Sequence, residues 1–386
     1  MPVAGSDLDR GIDVRPISGR HDLDAFVRLP WRIYRDDPQW VPPLLYEVRK
    51  VLDRSRHPFH AHADVEYFLA RHHGQVLGRI AAGVNHRFNE FHGVRAGIFG
   101  LFECVDDVQV ARALLETAQA WCRARGMGIL QGPFNFSTND ELYSPGVLIH
   151  GFEHPPVMLM AHTPPYYAGL LEACGFGKAR DLLSYWLEGQ EPPERLVRGV
   201  ARLAQAQDVV VRPLDLRRFG EEIERIKEIY HSAWERNWGF VPMTDAEFDH
   251  LARNLRPVVD PRFCVLVEIG GEPVAFGLQL PDLNRAIKPL NGRLLPLGWL
   301  KFLWHKRRIR VLRVLTLGVK PQYRHKGLDA MLMLHLFREG LKAGFTGAES
   351  AWILEDNLSM RRGLERLGAH PYKVYRVYEK PLALES

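Results

Sequence analysis

The chain has 386 residues, 46% of them hydrophobic and 25% charged, which is ordinary globular usage and more length than one core needs. Its net charge of +5 favours an acidic ligand, either a nucleotide-bearing cofactor or nucleic acid, without choosing between them. No segment reaches the apolar length of a membrane span, and the four cysteines (Cys104, Cys122, Cys174, Cys264) keep no metal or redox spacing, so an integral membrane protein, a disulfide scaffold and a zinc module are all disfavoured. The start, Met1 to Asp7, lacks the basic and apolar regions of a signal peptide; with free thiols, the expectation is a cytoplasmic protein.

The chain repeats itself. Arg15-Pro16 echoes Arg212-Pro213, and Trp40-Val41-Pro42 echoes Phe240-Val241-Pro242. A glycine-turned hairpin at Gly74 echoes another at Gly270, and Gly175 after a leucine-rich helix echoes Gly368. The offsets are 197, 200, 196 and 193 residues, in order, which argues for a duplicated domain. The polar, proline-bearing stretch 188–194 is the expected joint, giving domains 1–191 and 192–386.

In the first half an apolar strand is expected at 97–103, a helix at 110–125 and a further strand at 127–131. Glu103, Asp106 and Asp107 occupy the turn after the first of these strands, where they can cap the helix and would repel a phosphate. The segment 132–146 then packs Asn135, Ser137, Thr138, Asn139, Asp140, Glu141 and Tyr143 between apolar runs. In a cleft between domains, Asp140 or Glu141 could take a proton from an amine, and Asn135, Ser137, Asn139 and Tyr143 could orient the substrate. The competing reading is a turn whose Asx and Ser side chains satisfy their own backbone.

The second half opens with a strand at 209–212. Helices follow at 219–236 and 244–255, the latter with a Thr244/Glu247 capping box. A hairpin turns at Gly270-Gly271. The stretch 298–310 is basic and aromatic; a helix that packs its Trp and Leu residues and solvates Lys306–Arg308 is expected, against a membrane surface, an acidic carrier or RNA. A strand at 311–319 feeds Arg324, His325, Lys326 and Gly327, and a helix starts at Leu328-Asp329-Ala330. The unpaired N–H groups and dipole of such a helix start suit a pyrophosphate, and the three basic residues add to it. A strand at 348–354, a helix at 357–367 and a strand at 374–379 complete the half. Glu349 and Glu355-Asp356 flank the first of these; Glu355 could be a base or could cap the next helix. The histidines make no regular ligand spacing, and no metal site is expected.

This strand, turn and helix resemble the GNAT superfamily of N-acetyltransferases, whose signature is Gln/Arg-x-x-Gly-x-Gly/Ala. Arg324 and Gly327 match, whereas Asp329 stands where Gly or Ala is expected. Asn357 and Gly368 match a second family motif, but its tyrosine, the acid for the departing thiolate, is replaced by Leu364. A thiolate is only modestly basic (about 8.5 for a model cysteine), so loss of that acid need not stop transfer. The resemblance implies an α/β fold of two tandem acyl-CoA N-acyltransferase (GNAT-like) domains, each a mixed, mostly antiparallel sheet flanked by helices. The first is degenerate. It further implies an acyl-CoA-dependent N-acyltransferase, with acetyl-CoA or another acyl-CoA as co-substrate. Leu317, Val319, Arg324, His325, Lys326, Gly327, Leu328, Asp329, Ala330 and Asn357 would hold the cofactor; Asp140, Glu141 and Glu355 are the candidate catalytic residues. The acceptor would be a small-molecule or peptide amine, with nucleic acid less favoured. Aminoacyl-tRNA-dependent transfer and a non-catalytic ligand-binding pair are the competing readings.

Overall fold

A computed structural model describes residues 11–136, 144–206, 208–235 and 237–383. They form two compact units. One runs up to Leu182 and takes in Ile287–Gly298 and the chain from Val374 onward; the other comprises Leu183–Ala286 and Trp299–Lys373. Strands β7 and β13 cross two of the boundaries and helices cross the other two; backbone pairing holds the C-terminal segment in the sheet of the first unit.

The strands of the first unit are β1 (Asp13–Pro16), β2 (Ala63–His72), β3 (Gln75–Asn85), β4 (Ala96–Cys104), β5 (Ile129–Gly132) and β6 (Val147–His150). The start of β7 (Gly177–Glu188) also belongs to it. Pairing is antiparallel from β1 through β4 and parallel between β4 and β5. The unit closes with the C-terminal strand β13 (His370–Pro381), whose residues 374–381 pair antiparallel with β5 and β6. Its helices are α1 (Gly19–Arg28), α2 (Pro30–Ile33), α3 (Leu45–Leu52), α4 (His86–His92), α5 (Val108–Arg123) and α6 (Tyr167–Ala173). The expected helix at 110–125 is α5. Its buried stripe of Val110, Ala111, Leu114, Leu115, Ala118 and Cys122 packs on Phe68, Ile80 and Phe99 of the sheet.

The second unit repeats this order. Its strands are β8 (Val209–Pro213), β9 (Cys264–Ile269), β10 (Glu272–Pro281), β11 (Val311–Val319) and β12 (Gly347–Leu354). The β8–β11 pairs are antiparallel, and β11 and β12 are parallel. Next to β12 in strand order comes β7. The helices are α7 (Glu194–Ala206), α8 (Phe219–Trp234), α9 (Asp245–Leu255), α10 (Asn284–Ile287, which ends at the unit boundary), α11 (Gly298–Lys306), α12 (Leu328–Lys342) and α13 (Leu358–Arg366). The capping box on α9 forms as expected: Glu247 N donates to Thr244 Oγ1 at 3.1 Å, and Thr244 N donates to Glu247 at 2.8 Å.

Strand alternation assigns the two faces of this sheet. Leu317 packs with α12 residues, whereas its neighbour Gly318 lies against Trp234 of α8. In β10, Gly277 faces Leu336 of α12, and Phe276 meets the Trp234 ring at 5.9 Å. So α12 covers one face and α8 the other. Each unit is thus a mixed, mostly antiparallel sheet flanked by helices.

The basic aromatic stretch is a helix, but it does not pack its Trp and Leu residues: α11 has no buried residue. Among the described residues, no helix is long and apolar enough to cross a membrane. All four cysteines are buried, and burial pushes the thiols of Cys122 and Cys264 up to about 12, which suits packing rather than nucleophilic use.

Candidate active site

The parallel pairing of β11 with β12 runs from Val311–Gly347 to Val314–Ser350 and stops there, although both strands continue. On its other side β11 carries a bulge at Leu315, where Leu278 pairs with Thr316 and Gln279 with Val314. Residues 314–317 are only partly buried, which is unusual in the middle of a sheet. The strands part at Val314 and leave the β11 edge from Leu315 to Val319 without β12 as a partner.

At the open end of β11 lies the glycine-bearing turn. Gly327 is the N-cap of α12, at φ +76°, and carries no side chain to cap the helix. A Cβ there would stand 2.6 Å from Leu203 Cδ1 of α7, so both conformation and space call for glycine. The N–H groups of Leu328, Asp329 and Ala330 sit in the first turn, where no intrahelical acceptor exists. Asp329 is the second residue of α12 and does not cap it; its place in the first turn suits the dipole. Arg324, His325 and Lys326 are exposed. Arg324 is steadied by donation from Nη2 to the Ala233 carbonyl of α8 at 2.5 Å, and Lys326 lies 4.8 Å from the Tyr323 ring centroid. Lys320 is otherwise engaged: it is buried between Glu228 at 2.6 Å and Glu272 at 3.0 Å. Leu317 and Val319 turn their side chains toward α12.

Asn357 caps α13, its Oδ1 accepting from Met360 N at 3.2 Å. Leu364, at the position of the family's tyrosine, is buried. The hydroxyl that reaches α13 comes from Tyr185 of β7 instead; it donates to Glu365 at 3.1 Å and accepts from Arg361 at 3.0 Å. Glu355 is half-buried in the turn after β12, and its carbonyl accepts from Arg361 at 2.7 Å.

A carboxylate that sequence reasoning only noted in passing emerges where β11 and β12 part. Glu349 pairs in register with Arg313, one residue before the separation. Their neighbours Ala348 and Leu312 form one cluster, and Leu312 lies against Gly340 of α12. By alternation, Glu349 and Arg313 project from the α8 face. Glu349 is fully buried, as are Ser184 and Lys373, and Asp282 is 2% exposed. The Tyr372 hydroxyl donates to Glu349 Oε2, while Oε1 has no hydrogen-bond partner among the described residues. Burial pushes this carboxyl up to about 7, against the pull of Lys373 and Arg313; Asp282 adds to the upward push. A buried carboxyl raised toward neutrality beside Ser184 is a candidate general base.

The first unit has closed the equivalent opening. Its parallel pairing also ends early, at Ile98–Gln131. The chain after β5 then turns back over β4: Phe134 N donates to the Phe99 carbonyl at 2.7 Å, and Asn135 Oδ1 accepts from Leu101 N at 3.0 Å. A side chain on Gly100 would collide with the Phe134 carbonyl. Asn135, a candidate for substrate binding, is thus buried and satisfies a strand N–H. Asp107 caps α5 by accepting from Gln109 N at 2.8 Å and Val110 N at 3.3 Å, as expected. Glu103 is held by the Tyr167 hydroxyl at 2.7 Å and by Arg79 at 3.6 Å. The other candidates of that segment, Ser137, Asn139, Asp140, Glu141 and Tyr143, lie outside the described residues.

Comparison with known proteins agrees with this geometry. The sequence pattern of the Acetyltransferase (GNAT) family matches residues 223–369, the part that holds the turn and the parting strands. The chain is 37% identical over 390 residues to the bacterial ceramide synthase of Caulobacter vibrioides, covering 99% of this chain and 100% of that one. It is likewise 37% identical over 380 residues to protein YghO of Escherichia coli, covering 96% and 95%. Among solved structures, a tandem GNAT protein from the clavulanic acid biosynthesis pathway superposes with a TM-score of 0.59 at 14% identity, covering 97% of this chain and all of that one. A GCN5-related N-acetyltransferase from Sphaerobacter thermophilus gives 0.54 at 14%, with 96% of each chain covered. The protein has the tandem GNAT fold and belongs to the GNAT family of acyltransferases.

Proposed function

We propose that this protein transfers a long acyl chain from acyl-CoA to the amine of a long-chain amino alcohol of the sphingoid type. The observation that carries this reading is end-to-end identity of 37% with a protein named bacterial ceramide synthase. The site chemistry is compatible with it. The first-turn N–H groups of α12, with Arg324, His325 and Lys326, bind the pyrophosphate, and Gly327 lets the backbone approach it. The free edge of β11 from Leu315 to Val319 pairs with the pantetheine arm, and an N–H there meets the developing oxyanion. The acyl-CoA supplies a carbonyl already activated as a thioester.

Glu349, ionised, takes the proton that the amine must lose. It does so as the neutral amine nitrogen bonds to the carbonyl carbon; the carbon–sulfur bond then breaks, the proton stays on Glu349, and the thiolate leaves as free CoA. Glu355 is the second candidate base, and Asp140 and Glu141 remain candidates from the sequence. Transfer takes place in the cytoplasm. Acetyl transfer to a small-molecule or peptide amine, the chemistry expected from the superfamily resemblance, is the competing specificity.

Initial rates of CoA release with acetyl-, octanoyl- and palmitoyl-CoA, each against sphinganine and against a polar amine such as spermidine, test the reading. Turnover confined to the long acyl chain and sphinganine supports it. Preference for acetyl-CoA and the polar amine refutes it.

A further inference from the structure

α11 is an apolar helix that the second unit leaves uncovered. Five of its nine residues are Trp, Leu or Phe, yet none is buried. Trp299 is 46% exposed, Leu300 49%, Leu303 46% and Trp304 51%. At 100° per residue, Trp299, Leu300, Phe302, Leu303 and Trp304 span an arc of about 200°. That is wider than the i, i+3, i+4 stripe a helix presents to a protein groove. It is also too much apolar surface to leave in water without a purpose.

Charge identifies the occupant. Residues 299–310 carry five Lys or Arg and no Asp or Glu, so this short stretch alone matches the +5 of the whole chain. Lys301, Arg307, Arg308 and Arg310 are exposed, and the Arg308 guanidinium lies 3.4 Å from the Trp304 ring centroid. The chain leading into the helix, in the first unit, exposes Leu295 at 75% and Leu297 at 66%. Trp and Leu over a broad arc, flanked by cations and too short to span, is the composition of a helix that lies in a bilayer interface.

We propose that α11 is a membrane-interface helix that seats this protein on an anionic lipid surface, with Trp299, Leu300, Leu303 and Trp304 among the acyl chains and the Lys and Arg residues at the headgroups. The inference goes beyond the acyl-transfer reading and does not depend on it. If that reading also holds, the same helix brings the enzyme to the phase in which a long-chain amine is dissolved.

The test is co-sedimentation of the full chain with vesicles of phosphatidylcholine alone and of phosphatidylcholine with 30% phosphatidylglycerol. Two variants accompany it. One replaces Trp299, Leu300, Leu303 and Trp304 by Ser; the other carries Lys301→Glu, Lys306→Glu and Arg307→Glu. The wild type is expected to bind the anionic vesicles at least tenfold more tightly than the neutral ones. The serine variant loses binding, and the charge variant weakens it by about fivefold or more per cation reversed. Both keep the wild-type melting temperature and CoA binding, because the altered side chains are not buried. Absence of vesicle binding overturns the proposal, as does binding unchanged in both variants. So does a result in which α11 proves necessary only for binding an acidic acyl carrier protein, which would make the occupant a protein. Since none of these readings uses turnover, failure here leaves the acyl-transfer proposal untouched, and the reverse.

Discussion

Replacing Glu349 by Gln keeps the size and shape of the side chain and removes its titration. In the folded protein burial lifts the carboxyl from an ordinary 4.5 to about 7. The folded state therefore binds this proton more tightly than the unfolded chain. Between pH 4.5 and 7 the folded form holds the proton that the unfolded form has lost, so wild-type stability falls as pH rises through this window and levels off above it. A difference of about 2.5 units corresponds to about 3 kcal/mol. Above about pH 7, where the wild-type carboxyl is ionised, Arg313 and Lys373 also lose a buried counter-charge in the variant, so the absolute stability change mixes two effects. The pH dependence isolates the titration. For a chain of this length unfolding as one unit, about 3 kcal/mol moves the melting temperature by about 4 °C. Melting curves of both proteins at pH 5 and pH 8 are the assay. Because part of the window lies below pH 5, the wild type is expected to lose about 3 °C relative to Glu349→Gln over that interval. Acyl transfer supplies the second arm. Wild-type kcat/KM rises with pH through about 7 as the base ionises, whereas the variant is slower by about 10²–10⁴ and loses that limb. Melting curves that stay parallel from pH 5 to pH 8, with the kinetic limb retained in the variant, would falsify the assignment.

Other substitutions test the neighbouring parts. Gly327→Ala forces an L-residue into the left-handed region and against Leu203; it should cost about 1–2 kcal/mol of stability and weaken CoA binding at least tenfold, read by chemical denaturation and calorimetry. Arg324→Ala should weaken CoA more than it changes stability, since its guanidinium is exposed and holds one carbonyl; equal CoA affinity in the variant argues against the turn as the pyrophosphate site. Asn135→Leu leaves the buried Leu101 N–H without its acceptor and should cost about 1–3 kcal/mol in urea unfolding while leaving CoA affinity unchanged. Loss of transfer in that variant at unchanged stability would restore Asn135 as a substrate ligand.

The sequence was most readable where local rules and the tertiary fold agree. The strand, turn and helix from Val311 to Lys342 needed only apolar runs, a basic turn and a glycine. The Thr244/Glu247 capping box and the Asp107 cap are likewise decided within four residues. The rest depended on partners far away in the chain. In sequence, Glu349 looks like any polar residue in a short strand. Its significance comes from Arg313, 36 residues earlier, and Lys373, 24 residues later, which only sheet pairing brings beside it. Asn135 stood in a polar segment that could be read as a site or as a turn, and its hydrogen bond from Leu101 N of β4 decided its use. That the C-terminal part of β13 joins the first unit is likewise a matter of long-range pairing, which composition does not show. For α11, periodicity gave the helix but not what lies beside it; a buried face was the natural expectation for Trp and Leu, and the described residues bury none of them.

The account places acyl-CoA on the second unit alone, because the first has filled its own opening with Phe134 and Asn135. Calorimetric titration of the full chain with octanoyl-CoA, repeated on Gly327→Ala, tests this most directly. One site per chain, lost or strongly weakened in the variant, is the predicted result. Two sites per chain, or one site indifferent to Gly327→Ala, would contradict it.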